Sequence, residues 1–276
     1  MAKNEVAKVE EFEVVQLGAD MAEMVARSDM KEMLAEEMAG LGDISFDRVK
    51  FPASGGITFE LPGEDEEHPV PSSEIVGIIV DHHPVNAYWA EAYGSGSIGF
   101  PECTSMDGSH GSSGRACATC PHNQFGTAEK GQGKACRNMH RLYILQSGEV
   151  IPIVLAVPPT GIRALRDYIG KKLLLRGLQP HKVVTKIALK KDKTKDGSDI
   201  SKPVFTCLQI LSPEQVEMAA GARALCQKMR QQVDISSDDY VPSEGNGPAQ
   251  AAPAAPVDAD GFMDIPDGIE EDLPFN

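Results

Sequence analysis

The chain has 276 residues, 41% of them hydrophobic and 24% charged, which is the balance of one large or two small soluble globular domains. No stretch approaches the roughly 18 to 20 apolar residues of a membrane span, and the acidic start lacks the apolar core of a signal peptide, so the expected location is cytoplasmic. A net charge of -15 excludes a uniformly basic nucleic-acid binder.

Residues 1–41 read as an acidic segment followed by a Met-rich helix over 19–41. There Met21, Met24, Val25, Met33, Leu34 and Met38 recur at three- and four-residue intervals. That face serves either its own domain or a partner or second copy. Short strands follow over 44–51, 57–61, 75–81 and 87–93, separated by Pro, Gly and acidic turns. His82 and His83 read as a surface pair at a strand end. A Gly- and Ser-rich stretch over 94–137 then carries four of the six cysteines. Strands over 139–146 and 150–157 come next, joined at Ser147-Gly148. A helix over 161–175 lines Ile162, Leu165, Ile169 and Leu173 along one side. Strands over 182–190 and 204–211 form a hairpin across a long basic loop. Ser212-Pro213-Glu214-Gln215 opens a helix, with Pro at its first position and Gln at its third.

Residues 236–276 contain ten carboxylates and no Lys or Arg, and they are rich in Ala, Pro and Gly. Such a segment cannot bury enough apolar surface to offset its ordering entropy, so it reads as a disordered acidic tail. The whole pattern predicts a mainly β, α+β chain. It suggests an OB-type Greek-key barrel over 42–212 with the cysteine-bearing stretch 94–137 inserted as a subdomain, flanked by the N-terminal helix and a helix over 213–235, although the strand count alone also fits other all-β or α+β folds.

The cysteine spacing is Cys103-x13-Cys117-x2-Cys120-x15-Cys136. A Cys-x-x-Cys turn lets two thiolates hold one ion, and the outer cysteines complete a tetrahedron. This predicts one structural zinc per chain. His110, His122 and His140 are the substitutes if Cys103 is not the fourth ligand. Catalytic zinc fits less well, because four thiolates leave no open position for water. No histidine has Glu two residues on, and Ala116 rather than Pro precedes Cys117, so the zinc-deaminase signature is missing. The expected role is therefore not enzymatic.

Charge is unevenly placed. Residues 1–100 hold 6 basic and 20 acidic side chains, whereas 101–235 hold 20 basic and 11 acidic. A basic middle between acidic flanks points to contact with a polyanion. Lys182, Lys186 and Lys190 fall on one face of a strand, and Lys191, Lys193 and Lys195 extend the row into the loop. Arg141 and Tyr143 share a face of another strand, and Trp89 lies on a third. Cations that hold a backbone beside aromatics that stack unpaired bases suit sequence-tolerant single-strand binding.

Two resemblances sharpen this reading. The runs Pro101–Gly108, Cys117–Gly126 and Gly131–Cys136 make the middle similar to zinc-containing single-stranded-DNA-binding proteins of bacteriophages and mobile elements. The resemblance implies an OB fold with a zinc-bearing insertion and a role in DNA replication or recombination, in the host-cell cytoplasm if phage-encoded. The ending Asp272-Leu273-Pro274-Phe275-Asn276 resembles the acidic tail of bacterial-type single-stranded-DNA-binding proteins, whose tip recruits replication and repair proteins. Leu273 stands where Ile is usual, and Asn276 follows Phe275. The expected partners are single-stranded DNA, replication or recombination proteins at the tail, and a second copy of the chain. The alternatives are a zinc-ribbon protein associated with transcription or RNA and, less well matched, a zinc-dependent enzyme acting on nucleotides.

Overall fold

The computed structural model describes residues 12–41, 46–52, 55–63, 68–90, 101–128, 132–194 and 197–230. Lys195 and the tail residues Asp272, Leu273, Pro274 and Phe275 lie outside the described residues. In chain order come α1 (Ala19–Ala26), α2 (Met30–Glu37), β1 (Arg48–Val49), β2 (Phe59–Leu61), β3 (Val70–Ser72), β4 (Glu74–Tyr88), β5 (Cys103–Ser105), β6 (Arg137–Leu145), β7 (Ile153–Val157), α3 (Ile162–Asp167), β8 (Val183–Lys193), β9 (Asp199–Ile210), α4 (Pro213–Met218) and α5 (Ala220–Met229). The fold is mixed α/β. A curled sheet runs β1-β7-β6-β4-β8-β9, with β5 on the far end of β4, and β2–β3 form a separate pair.

β4 joins the two halves of the sheet. It pairs with β8 from Glu74↔Ala188 to Ile78↔Val184, and with β6 from Ile78↔Leu145 to Ala87↔Arg137. The change of partner falls at Ile78, beside Gly77. A Cβ on Gly77 would stand 2.5 Å from Ile144 Cγ2 and 2.6 Å from the Leu145 carbonyl oxygen, so only glycine allows this approach. The register slips between Ile79 and Asp81, which adds to the bend. The strand expected over 75–81 and the described part of that over 87–93 therefore belong to one 15-residue strand. His82 and His83 sit in its middle rather than at an end, and His83 is buried.

Period-two alternation buries both sheet faces. On one, Ile75, Ile79, Ile144, Leu155 and Ile187 are closed over by Leu165 of α3 and by Tyr168 and Leu173 after it. On the other, Ile78, Val80, Tyr143 and Val184 are covered by Phe12, Val14 and Leu17 of an N-terminal arm and by Leu225 and Met229 of α5. Hydrogen bonds hold the arm in place. The Glu13 N–H donates to Ser147 Oγ at 2.9 Å, and the Gly148 N–H donates to the Glu13 carbonyl at 3.2 Å.

The helix expected over 19–41 is two helices. Arg27 adopts an extended backbone, binds Asp29 through both carboxylate oxygens, and presents its carbonyl to Lys228 Nζ at 2.6 Å. Met21, Met24 and Leu34 pack on the chain's own core. The helix expected over 161–175 holds α-geometry only to Asp167 before a π-turn and a 3-10 turn, which ends at Gly177 with φ +74°.

Candidate metal centre and nucleic-acid interface

The cysteine segment is a lobe rooted on the sheet at both ends. Cys103 opens β5, opposite Tyr88 at the end of β4, and Cys136 immediately precedes β6. Between them, Cys117–Thr119 and Pro121–Asn123 form two 3-10 turns. Polar contacts hold these turns together. Asn123 Nδ2 donates to the Cys117 carbonyl at 2.8 Å, and Gln124 Nε2 to the Ala118 and Cys120 carbonyls at 3.1 Å. The Cys136 N–H donates to the His122 carbonyl at 2.7 Å. From Met106 to Arg137, the only buried residues among those described are Cys117 and Cys136.

Cys103, Cys117, Cys120 and Cys136 line one cavity of about 170 Å³, together with Tyr88 and His122. Burial, and then the thiols of Cys117, Cys120 and Cys103, push the Cys136 thiol up to about 11. Burial also acts against the Cys103 thiolate. Hydrogen bonds from Ser113 and Ser112 outweigh it, holding that thiol below its ordinary value. Four soft donors around one small cavity, in a lobe whose described residues from Met106 to Arg137 bury only Cys117 and Cys136, suit a thiolate site for zinc. As the side chains stand, no group of three or more His, Cys, Asp or Glu among the described residues is drawn together to hold an ion. Of the substitute ligands, only His122 lines the cavity. His110 pairs with Asp107 at 3.5 Å, and His140 Nε2 lies 2.9 Å from His82 Nδ1.

The lysines do not form one row: Lys182 lies in the turn before β8, and Lys191 and Lys193, expected in a loop, end β8 on the face opposite Lys186 and Lys190. Lys186 is 3.3 Å from Glu74, and Lys191 is 2.8 Å from Asp199. Lys182, Lys190 and Lys193 are exposed and make no ion pair among the described residues. Val184 is buried under the arm and α5, so it separates Lys182 from Lys186 and Lys190.

Arg141 and Tyr143 must be reassigned. Both are fully buried, on the face that the arm and the C-terminal helices cover, so neither can stack an unpaired base. The Tyr143 ring packs edge-on against Phe46 at 5.3 Å, and its hydroxyl lies 3.2 Å from His83 Nε2. Trp89 is half-buried, with the Arg137 guanidinium 5.5 Å from its ring centre.

Two features had no sequence signal beyond residue identity. One is the histidine cluster of His82, His83 and His140 on the paired strands β4 and β6. The other is Phe125, which is 81% exposed. Among the described residues, no helix is long and apolar enough to cross a membrane. Comparison with protein-family models, with curated proteins and with solved structures finds no match to this chain.

Proposed function

We propose that the chain binds single-stranded DNA without enzymatic turnover, in replication or recombination, and that zinc on Cys103, Cys117, Cys120 and Cys136 stiffens the lobe beside the sheet. The observation that carries this reading is the exposure of Lys182, Lys190 and Lys193, with no close ion pair among the described residues, on a chain of net charge -15. Exposed cations on so acidic a chain favour a polyanion as ligand. The strand order supports an OB-type core. A long bent strand, β4, pairs with β6 and β8 in turn; β6 and β7 are antiparallel neighbours; a helix follows β7; and β8–β9 form a closing hairpin. The sheet departs from a closed barrel at β7, whose outer edge pairs in parallel with β1.

In this reading the acidic tail recruits partner proteins through Asp272, Leu273, Pro274 and Phe275, and self-association remains part of the proposal. Titration with fluorescent oligo-dT, oligo-U and duplex DNA tests the function. Tight, length-dependent binding to oligo-dT over duplex supports it. Preference for a structured RNA would favour the transcription or RNA role instead.

A further inference from the structure

We infer that the cysteine lobe carries its own base-stacking platform, Phe125 with Lys134, separate from the β8 lysines. This inference rests on the single-strand-binding reading and adds a site to it. Phe125 is the most exposed aromatic side chain among the described residues, at 81%. A lone exposed apolar residue is ordinary; three further observations give this one a ligand.

First, Lys134 Nζ stands over the Phe125 ring, 5.1 Å from its centre, while donating to Asn123 Oδ1 at 3.2 Å, so a cation is fixed on one face of the ring and the face for stacking is the other. A ring backed by a cation on one face can stack a base on the opposite face.

Second, the turn that presents the ring is braced on both sides. Gln124 is bonded to two carbonyls, the Thr127 hydroxyl donates to the Gln124 carbonyl at 2.7 Å, and the Gly126 N–H donates to the Gly133 carbonyl at 2.8 Å. Little ordering entropy is then left to lose on stacking.

Third, residues 103–137 hold four Lys or Arg and two Asp or Glu, and zinc on four thiolates would add two negative charges, so the lobe stands near charge balance and repels a polyanion less than the acidic flanks do. The lobe also touches the sheet through a second aromatic contact: His122, three residues before Phe125, stacks on Tyr88 at 4.0 Å, next to Trp89. The lobe stands at the Tyr88 end of β4 and the β8 lysines lie toward its Glu74 end, so a strand held by both would meet them at well-separated nucleotides. The occupant is a nucleobase of single-stranded DNA.

The test uses the full-length zinc-loaded chain and labelled oligo-dT. Because Phe125 is exposed, Phe125→Ala keeps the fold and zinc content, which elemental analysis checks. It should weaken binding about tenfold, within the range found for removing one base–aromatic stack. Stacking releases no counterion, so the slope of log K against log salt should not change. Phe125→Trp should restore affinity and add a tryptophan whose emission oligo-dT quenches. Phe125→Leu, which keeps apolar bulk without a π face, should not restore it. If Phe125→Ala binds like the parent while lysine variants of β8 weaken, the platform is wrong and the single-strand reading stands. If Phe125→Leu binds like the parent, stacking is wrong. If the parent chain binds no single strand, the reading and the platform fall together.

Discussion

The separation of Lys182 and the β8 lysines into those with and without a close ion pair makes a quantitative prediction. Lys182, Lys190 and Lys193 have no ion pair among the described residues, whereas Lys186 and Lys191 are already partnered by Glu74 and Asp199. Each phosphate neutralised on a single strand contributes about -0.7 to the slope of log K against log salt, so three contacts give about -2. Between 50 and 200 mM salt, these three alone would weaken binding roughly 20-fold. Fluorescence anisotropy of labelled oligo-dT, titrated at stepped NaCl, measures the slope directly. Replacing Lys182, Lys190 and Lys193 together by Ala should flatten it by about 2. Replacing Lys186 and Lys191 should flatten it less, because a lysine with a carboxylate beside it has a smaller share of charge to give up to a phosphate. The reasoning fails if the triple variant keeps the parent slope, or if the two paired lysines contribute as much per residue as the unpaired three.

Further expectations follow from the same geometry. Elemental analysis should find one zinc per chain, and Cys120→Ala should lose it. Chelation should raise hydrogen exchange across 106–136 while β4, β6 and β8 stay protected, since the described residues there bury only Cys117 and Cys136; a metal-free chain with an unchanged lobe would refute this. His140 is held down to about 4 from the ordinary 6.5, by burial first and then by His82 and His83. The unfolded chain therefore binds the proton first as pH falls. Stability present above about 6.5 should decline by about 3 kcal/mol on the way to pH 4. Urea unfolding across that range should show the loss, and His140→Gln should flatten it; an unchanged profile in the variant would place the titration elsewhere. Gly77→Ala should cost about 1 to 3 kcal/mol, because the new methyl meets the Leu145 backbone where β4 bends; a thermal midpoint equal to the parent's would disprove that. Deleting 236–276, with its ten carboxylates on a tether, should tighten DNA binding most at low salt, and equal affinity in 20 mM and 200 mM salt comparisons with the parent would exclude competition by the tail.

What could be read from the sequence alone acts over short distances. Ser212 and Gln215 form the expected capping box, with the Gln215 N–H donating to Ser212 Oγ at 3.2 Å and the Ser212 N–H donating to Gln215 Oε1 at 3.0 Å, because a cap needs only residues three apart. The strands at 139–146 and 150–157 were legible from their apolar runs. The four cysteines share one cavity because two tight turns and two strand ends set their separations.

The tertiary structure decided which faces are covered and which charges are spent. Alternation put Arg141 and Tyr143 on one face correctly, but it could not show that an arm beginning more than a hundred residues earlier lies over that face. Lys186 and Lys190 look alike along the chain, yet only Lys186 has Glu74 beside it, because β4 pairs with β8 across more than a hundred residues of sequence. His82 and His140 meet for the same reason. Burial and pairing are properties of long-range neighbours, and periodicity carries no information about those; it says which residues share a face, whereas the fold determines what stands opposite.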